Sequence, residues 1–370
     1  MSWGPVRAGK FSWVFAAGLV LTCVARALAG STLKDDEQLL LYPAWAKAAK
    51  AGWEVHVHGL VYEPERRRLL GAAVQRLARL GEHDLTSAER QILAERTHYF
   101  MVDDERGKRF VVTVGNREFP LGKSAANGQF SSRWRWPTNE TTFTELQPTN
   151  RFSRLTFDVP APDGRKRTVP LEVHWLEERG WSVISDLDDT IKISHVLDRG
   201  ALLRNTFCRP FRPVPGMAEL YQQWARQGAQ FHYVTASPWQ LYEPLAGFVR
   251  SNQFPRGTWH MKPFRWKDAS AFELLASPER FKTETLEPLL RAFPQRHFLL
   301  VGDSGEKDPE TYGALARKFP AQIRGIFIRD VTREPASARR YHLAFAGVPA
   351  ERWRLFREAS ELQPAALPAE

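Results

Sequence analysis

The chain has 370 residues, of which 43% are hydrophobic and 25% are charged, and its formal net charge is +10. These fractions are typical of a globular protein with room for two domains, and the two cysteines, Cys23 and Cys208, exclude a disulfide-rich scaffold. The basic excess favours anionic partners, namely phospholipid surfaces, nucleic acid or phosphorylated small molecules.

Residues 1–29 predict a secretory signal peptide. Arg7 and Lys10 precede an apolar run over residues 11–24, and the small residues Ala27 and Ala29 favour cleavage after Ala29. An uncleaved membrane anchor is the alternative, but a run of this length is short for a bilayer span. We therefore expect export, either to the periplasm of a Gram-negative cell or as a secreted protein. Cys208 would then be the remaining cysteine, and we expect a packed thiol rather than a nucleophile.

Residues 30–178 predict a β-rich, sandwich-like N-terminal domain with a helical insertion. Strand-like runs separated by turn signals lie at 53–63, 98–103, 108–115, 130–137, 151–159 and 167–176. The charged segment 64–98 predicts two helices, the second of which begins at a capping box of Thr86 and Glu89. His56 and His58 share a strand face and could bind a metal. Packed or surface histidines are the stronger interpretation, because no third ligand is in view.

The most informative segment follows this domain. A short apolar run at 181–184 ends in Asp186, Asp188 and Asp189. Aspartates are poor strand formers and like charges repel, so three of them at a strand end indicate a bound cation. A second apolar run at 298–301 is followed by Asp303 and Asp308. Because carboxylates and substrate phosphate together hold hard cations such as Mg²⁺, the sequence predicts a phosphoryl-transfer enzyme.

The pattern Asp186-x-Asp188-x-Thr190 resembles the first motif of the haloacid dehalogenase superfamily of phosphohydrolases, and candidates for the other motifs follow in order. The strand-like run 231–235 ends in Thr235, as the second motif requires. Lys282 lies near a predicted helix start, which Ser277 could cap and Pro278 could open. The turn at 302–308 would be the fourth motif. Three of the four motifs close apolar strands, which makes the set specific.

The residues of these motifs indicate one branch of the superfamily. The segments 186–192 (Asp-Leu-Asp-Asp-Thr-Ile-Lys), 233–241 (Tyr-Val-Thr-Ala-Ser-Pro-Trp-Gln-Leu) and 302–308 (Gly-Asp-Ser-Gly-Glu-Lys-Asp) resemble the catalytic domain of the actin-patch-associated phosphatidate phosphatase family. The resemblance covers roughly residues 180–335. It implies hydrolysis of phosphatidate to diacylglycerol with Mg²⁺ and, together with the signal peptide, an exported bacterial member. Bacterial relatives need not share that substrate.

The resemblance also implies a role for each motif residue. Asp186 would attack phosphorus and form an aspartyl-phosphate, while Asp188 would protonate the leaving group and then activate water. Thr235 and Lys282 would bind the phosphoryl oxygens. The Mg²⁺ ligands would be Asp186, the main-chain carbonyl of Asp188, and Asp303, with Asp308 as an additional carboxylate.

Residues 179–335 predict strands that alternate with helices, which gives a haloacid dehalogenase-like Rossmannoid parallel sheet covered on both faces. The strands are expected at 181–185, 230–234, 257–262, 297–301 and 323–328, with helices at 215–227, 239–252, around Lys282 and at 309–319. Ligands of such sheets lie at the carboxyl ends of the strands, where these motifs would converge. The short gaps between motifs predict a small cap or none. Residues 336–370 predict a helical C-terminal tail.

Two classes of function are compatible with these residues. The first is a Mg²⁺-dependent phosphatase of phosphatidate, of small phosphomonoesters or of nucleic-acid phosphate ends; the second is a non-catalytic binding module on a phosphatase fold. The intact pair Asp186 and Asp188 favours the enzyme. An open site suits a phosphorylated head group at an anionic phospholipid surface, which the basic and aromatic segment 256–267, with Trp259 and Trp266, could contact. The alternative is a solvated loop whose aromatic residues pack inward. No nucleic-acid motif accompanies this segment, and the oligomeric state stays open.

Overall fold

A computed structural model describes residues 30–50, 52–64, 85–100, 102–114, 117–136, 152–263, 278–362 and 367. These residues form a β-rich N-terminal body and a parallel α/β body. The predicted signal peptide, the first helix predicted within 64–98, Ser277 and Trp266 lie outside the described residues. Within the described ranges, no helix combines the length and apolar character needed to cross a bilayer.

The N-terminal body is built from nine strands. They are β1 (Gln38–Leu41), β2 (Ala44–Ala49), β3 (Gly52–Glu63), β4 (Asp103–Asp104), β5 (Arg109–Val114), β6 (Arg117–Lys123), β7 (Gln129–Trp136), β8 (Phe152–Pro160) and β9 (Lys166–Leu176). Their side chains alternate between core and solvent, as in β7, where Trp134 and Trp136 are buried while Arg133 and Arg135 are exposed. The described part of the helical insertion is α1 (Ser87–Thr97), which begins at the predicted capping box.

These strands form one hydrogen-bonded sheet rather than the two separate sheets of the predicted sandwich. The long strand β3 pairs with β1 and β2 along one edge and with β4 and β7 along the other. The sheet curls until β6 lies beside β7, where the Trp134 indole N–H donates to the Pro120 carbonyl at 2.9 Å. The β-rich prediction is confirmed. The sandwich prediction is corrected. The spacing of strands along a sequence does not reveal that one long strand, β3, pairs along both of its edges and so joins all nine strands into one sheet.

The second body is a six-stranded parallel sheet in the order β12-β11-β10-β13-β14-β15. Its strands are β10 (Trp181–Ser185), β11 (Gln230–Pro238), β12 (Gly257–Lys262), β13 (His297–Asp303), β14 (Ile323–Arg329) and β15 (Trp353–Phe356). Its helices are α2 (Arg199–Phe207), α3 (Met217–Arg226), α4 (Tyr242–Ser251), α5 (Pro278–Ala292), α6 (Asp308–Lys318) and α7 (Arg339–Ala344). The parallel α/β architecture is confirmed, while membership of the haloacid dehalogenase superfamily stays a prediction.

Two features of this body differ from or refine the sequence expectations. The segment after residue 336 is not only helical, because β15 pairs in parallel with β14 and extends the sheet. A four-residue strand has too short a pattern to be recognised in sequence, and it depends on the open edge of β14 for its hydrogen bonds. Between Asp188 and Thr235 the chain forms α2 and α3, and α2 is the element that lines the site, which agrees with a small cap.

The two bodies share a core. One cluster of buried side chains contains Tyr42, Leu60 and Phe100 from the first body together with Val183 and Trp239 from the second. Tyr42 and Trp239 are in close ring contact, with 4.0 Å between their centroids. The N-terminal body is therefore packed directly against the α/β body.

The segment predicted to contact phospholipid is largely part of this fold. Trp259 lies on β12 and is buried against Tyr233, with ring centroids 5.2 Å apart. Arg256 donates to Glu172 of β9 at 2.6 Å. The described part of the 256–267 segment therefore follows the alternative in which its aromatic residue packs inward, and a membrane-contacting role for Trp259 is corrected. Hydrophobicity alone does not tell a buried tryptophan from an interfacial one.

Candidate active site

Three predicted site residues lie at the carboxyl ends of adjacent strands. Asp186 follows β10, which lies between β11 and β13 in the sheet. Thr235 is part of β11, and Asp303 is the last residue of β13. Because all three strands run parallel, their ends meet at one edge of the sheet. Segments separated by more than a hundred residues thus contribute to one site.

Asp186 is held in a fully buried position. Its main-chain N–H donates to the Val301 carbonyl at 2.9 Å, and its Oδ2 accepts a hydrogen bond from the Thr190 hydroxyl at 3.0 Å. Its Oδ1 lies 2.9 Å from the Lys282 ammonium. Burial raises the pKa of Asp186; Lys282 opposes this, but neighbouring carboxylates add to it, so the pKa is well above the ordinary value. The carboxyl group is therefore oriented and desolvated, and a cation bound beside it would favour its ionised form.

Lys282 extends from α5 into the same carboxylate cluster. Its ammonium lies 2.5 Å from Asp308 Oδ1 and 3.0 Å from Glu306 Oε2, in addition to Asp186. Burial lowers its pKa, but the three carboxylates raise it more, so its pKa is well above the ordinary value. Lys282 is therefore a permanent cation, and it alone cannot neutralise the three carboxylates around it.

The carboxylates of Asp186, Asp303 and Asp308 offer oxygen atoms within 4.8 Å of one another. Asp303 Oδ1 accepts main-chain N–H groups from Gly305 and Glu306 at 2.6 and 3.1 Å. Asp303 Oδ2 is buried without a hydrogen-bond partner. Burial and the adjacent carboxylates raise the pKa of Asp303 well above its ordinary value. An unpartnered buried oxygen within an all-oxygen acidic cluster fits a hard divalent cation.

The approach of Asp308 to this cluster depends on a glycine. A Cβ at Gly302 would collide with the carboxylate of Asp308. Asp308 also accepts the main-chain N–H of Asp303 at 3.2 Å through its Oδ2. Gly302 is therefore required for close packing between the end of β13 and the start of α6.

Asp188 occupies a different environment from Asp186. Its Oδ1 accepts hydrogen bonds from the Lys192 ammonium and the Ser194 hydroxyl, both at 2.6 Å. Its Oδ2 lies 3.4 Å from the hydroxyls of Thr235 and Ser237. Burial raises the pKa of Asp188, but the Lys192 charge and these hydrogen bonds lower it more. Two carboxylates two residues apart thus have pKa values shifted in opposite directions, which is typical of groups with different catalytic tasks.

The third aspartate of the motif orders the turn. Asp189 has a φ of 51°, in the left-handed region that few side chains adopt. Its carboxylate accepts the main-chain N–H groups of Ser194, His195 and Val196 at 2.8, 3.1 and 2.6 Å. Arg329 donates to its carbonyl at 2.7 Å. Asp189 therefore closes the loop that brings Lys192 and Ser194 to Asp188.

Asp188 lines a cavity of about 790 Å³. Part of the wall is charged and consists of Arg199, Glu306, Lys307, Glu310, Glu334 and Arg340. Another part is apolar and consists of Val196, Leu197, Leu202, Phe207, Ala236, Pro238 and Leu241. Leu197 is 62% exposed, which is unusual for a large hydrophobic side chain in the described residues. The cavity can therefore accept a ligand with a charged group and an apolar group.

The structure brings all six predicted site residues to one edge of the sheet, and it adds others that sequence reasoning did not assign. Lys192 and Glu306 stand within the recognised motif segments but carried no predicted role. Ser237 also stands within a motif segment without a predicted role. Ser194 gave no signal, because a hydroxyl beside a carboxylate is visible only after folding. Arg340 lies in the predicted tail, yet it donates to the carbonyl oxygens of Ser304 and Glu306.

Residues 181–330 match the family described as phosphatidate phosphatase APP1, catalytic domain. Phosphatidate phosphatase APP1 of Saccharomyces cerevisiae is 33% identical over 182 residues, which are 47% of this chain and 30% of that protein. An uncharacterized protein of Schizosaccharomyces pombe is 32% identical over 164 residues, which are 43% of this chain and 27% of that protein. This chain therefore spans less than a third of the length of both relatives.

Among solved structures, one chain of the Pnkp1/Rnl/Hen1 complex aligns over 38% of this chain and 42% of its own length. The alignment has 14% identity and a TM-score of 0.27, which is too low to support an argument about fold or function. The family match rests instead on the segment that contains the carboxylate cluster, Lys282 and Asp188. The predicted resemblance is confirmed, because residues 181–330 match the phosphatidate phosphatase APP1 catalytic-domain family.

Proposed function

We propose that this protein is a Mg²⁺-dependent phosphatase that hydrolyses phosphatidate or a related phosphomonoester through an aspartyl-phosphate on Asp186. The observation that carries this proposal is the buried Asp186 carboxylate, which lies beside Lys282 and within reach of the unpartnered Asp303 Oδ2. The similarity of residues 181–330 to phosphatidate phosphatase APP1 supports the same conclusion.

The residues that would hold Mg²⁺ are Asp186 and Asp303, with the main-chain carbonyl of Asp188 and the carboxylate of Asp308 as further ligands. Their donor atoms are all oxygens, as Mg²⁺ prefers. Three carboxylates, of Asp186, Glu306 and Asp308, surround the ammonium of Lys282, and the carboxylate of Asp303 lies beside two of them, so the cluster has an excess of negative charge. When bound, Mg²⁺ would offset this excess and the charge of the phosphoryl oxygens.

In the first half of the proposed reaction, a carboxylate oxygen of Asp186 forms a bond to phosphorus while the bond to the substrate oxygen breaks. Asp188 supplies the proton that the leaving oxygen takes up. Lys192 and Ser194 keep Asp188 ionised in the described state, and the negative charge of an arriving phosphate would raise its pKa towards the acid form. In the second half, Asp188 accepts a proton from water, which attacks phosphorus and releases Asp186.

The remaining two predicted residues complete the phosphate environment. Lys282 offers a fixed positive charge beside Asp186, and the hydroxyl of Thr235 lies 3.4 Å from Asp188 Oδ2. Thr235 is itself held by the main-chain N–H of Ser237, which donates to its oxygen at 3.0 Å. Both groups are almost fully buried, so their interactions with phosphoryl oxygens would be little weakened by solvent.

The cavity supports the proposed substrate class. A phosphate at Asp186 would place its leaving group beside Asp188 and along the wall that contains Leu202, Phe207 and Leu241. An apolar wall of this kind favours a leaving group with acyl chains over a sugar or nucleoside. We further propose that segment 1–29 directs export to the periplasm or the medium, and that the enzyme acts at an anionic phospholipid surface.

The test is phosphate release by the full chain from dioctanoyl phosphatidate, glucose 6-phosphate and a 5′-phosphorylated oligonucleotide, each with Mg²⁺ and with EDTA. We expect Mg²⁺-dependent release that is fastest from phosphatidate and absent in Asp186→Asn. Asp198→Asn is the matched control, because it changes an exposed aspartate that caps α2, and asparagine is an equally good cap.

The other outcomes separate the alternatives. Release in EDTA, or by Asp186→Asn, would refute the proposed chemistry. Faster phosphate release from the sugar phosphate or the oligonucleotide would support the phosphatase activity but exclude phosphatidate as the preferred substrate. No release from any substrate, with phosphatidate bound, would indicate the non-catalytic binding module.

A further inference from the structure

The N-terminal body contributes a buried arginine to the catalytic side of the molecule. Arg96 lies at the end of α1 and is 7% exposed. One of its Nη atoms donates to the Thr206 carbonyl at 2.6 Å and to the Asn205 carbonyl at 3.2 Å. Its guanidinium carbon lies 3.5 Å from the centroid of the Phe211 ring. Arg96 lies outside residues 181–330, so the family match does not include it.

The two carbonyls belong to the last turn of α2, where helix carbonyls lack partners within the helix. The preceding carbonyl, of Arg204, is satisfied by the main-chain N–H of Cys208 at 2.8 Å. Arg96 supplies donors to the next two, and its positive charge suits the negative end of the helix dipole. Phe100 adds an edge contact to Phe207, with ring centroids 5.8 Å apart. The C-terminal end of α2 is therefore held from the N-terminal body.

This end of α2 reaches the site in two ways. Thr206 and Phe207 line the cavity beside Asp188. The Asn205 side-chain amide donates to the Ser194 carbonyl at 3.1 Å, and the Ser194 hydroxyl donates to Asp188. A displacement of this turn would move both the cavity wall and the support of Asp188.

We propose that Arg96 is a positioning residue, supplied by the N-terminal body, that holds α2 against the cavity and sets the leaving-group side of the site. This inference rests on the proposed phosphatase function for its kinetic consequence only. The inference also gives the β-rich body a specific role, because α2 would lose this support without Arg96. Hydrolysis should depend on Arg96 when the leaving group contacts α2 and must be protonated. It should not depend on Arg96 when the leaving group does neither.

The test compares Arg96→Ala and Arg96→Lys with Arg317→Ala. Arg317 is the matched control, because it donates to the Ala344 and Ala346 carbonyls at the end of α7, and it does not line the Asp188 cavity. Two substrates are used: dioctanoyl phosphatidate, and p-nitrophenyl phosphate, whose leaving group departs without protonation. All measurements are made below the unfolding midpoint of each variant.

Cys208 provides a readout that needs no activity. It is fully buried directly after α2, and in a Cys23→Ser background it is the remaining thiol of the chain. We expect Arg96→Ala to label with Ellman's reagent at least about tenfold faster than Arg317→Ala, the factor that corresponds to losing one or two such hydrogen bonds. Arg96→Lys should be intermediate, because lysine keeps the charge but not the planar geometry.

The kinetic expectation is a drop of about tenfold in kcat/KM for dioctanoyl phosphatidate in Arg96→Ala, with p-nitrophenyl phosphate changed by less than about threefold. Equal labelling of Cys208 in the Arg96 and Arg317 variants, or an equal loss on both substrates, would overturn the inference. A wild-type protein that releases phosphate from neither substrate would refute the proposed function instead, and the labelling rates would still decide whether Arg96 holds α2.

Discussion

Neutralising one carboxylate of the cluster should abolish activity and, at the same time, stabilise the folded protein. Asp303→Asn keeps an oxygen for the N–H groups of Gly305 and Glu306 and replaces the unpartnered Oδ2 by a donor. The substitution removes one negative charge that lies within 4.8 Å of Asp186 and Asp308. We expect no phosphate release, no stabilisation by Mg²⁺, and higher stability than wild type in EDTA.

The magnitude follows from the distances. Two unit charges at most 4.8 Å apart repel by at least about 3.5 kcal/mol at an effective dielectric constant of about 20. Two such repulsions, about 7 kcal/mol together, are relieved, and an attraction of about 4 kcal/mol between Asp303 and Lys282 is lost, so a gain of about 3 kcal/mol in the free energy of unfolding is expected at about pH 8. In wild type, Mg²⁺ at a hundred times its Kd should raise the free energy of unfolding by about 2.7 kcal/mol.

The pH dependence has a definite sign. Burial and the carboxylates of Asp308, Glu306 and Asp186 raise the pKa of Asp303 above its unfolded value. The folded protein therefore binds the proton more tightly, and this stabilisation is present below about pH 4 and lost as the pH rises through the folded pKa. Asp303→Asn removes this dependence of the free energy of unfolding on pH. The variant should therefore exceed wild type in stability by more at about pH 8 than at about pH 5.

The assay is urea denaturation in EDTA and in Mg²⁺ at both pH values, with Asp330→Asn as the contrasting control. Asp330 carries the same charge but pairs with Arg357 at 2.9 Å, so its neutralisation should not stabilise the protein. Lower stability of Asp303→Asn than wild type in EDTA at pH 8 would refute the reasoning, and so would an unchanged response to Mg²⁺.

Three further predictions concern other parts of the molecule. Lys282→Met should abolish phosphate release and lower the free energy of unfolding in EDTA by about 3–5 kcal/mol, because buried carboxylates lose their cation; an unchanged urea midpoint would contradict this. Arg340→Ala should lower kcat at saturating Mg²⁺ with a stability loss below about 2 kcal/mol, because it frees the loop carbonyls at 304 and 306; an unaltered kcat would exclude the role. Burial lowers the pKa values of His56, His58 and His260 to about 4. Since these values lie below the unfolded value near 6.5, stability present above that pH should be lost towards pH 4, by about 1–2 kcal/mol per histidine at pH 5, and a flat denaturation profile would count against it.

Much of the α/β body could be predicted from the sequence, because its information is local. The apolar runs at 181–184 and 298–301 end in aspartates, and this change marks both the strand and the residues at its end. The buried stripe of α3, which contains Met217, Leu220, Tyr221 and Trp224, follows from helical spacing alone. The family motifs identified the same segments independently, and the family match covers them.

Local information does not reach interactions between distant segments, and these depend on the tertiary structure. The N-terminal sheet depends on the pairing of β3 with strands along both of its edges, and the place of β15 depends on the free edge of β14. The opposite pKa shifts of Asp186 and Asp188 depend on which cations and hydroxyls lie beside them. Trp259 could equally face lipid or core when only its neighbours in sequence are known. A residue's type determines which interactions it can make, but packing determines which of them it makes, because burial and partner distances are properties of the folded chain.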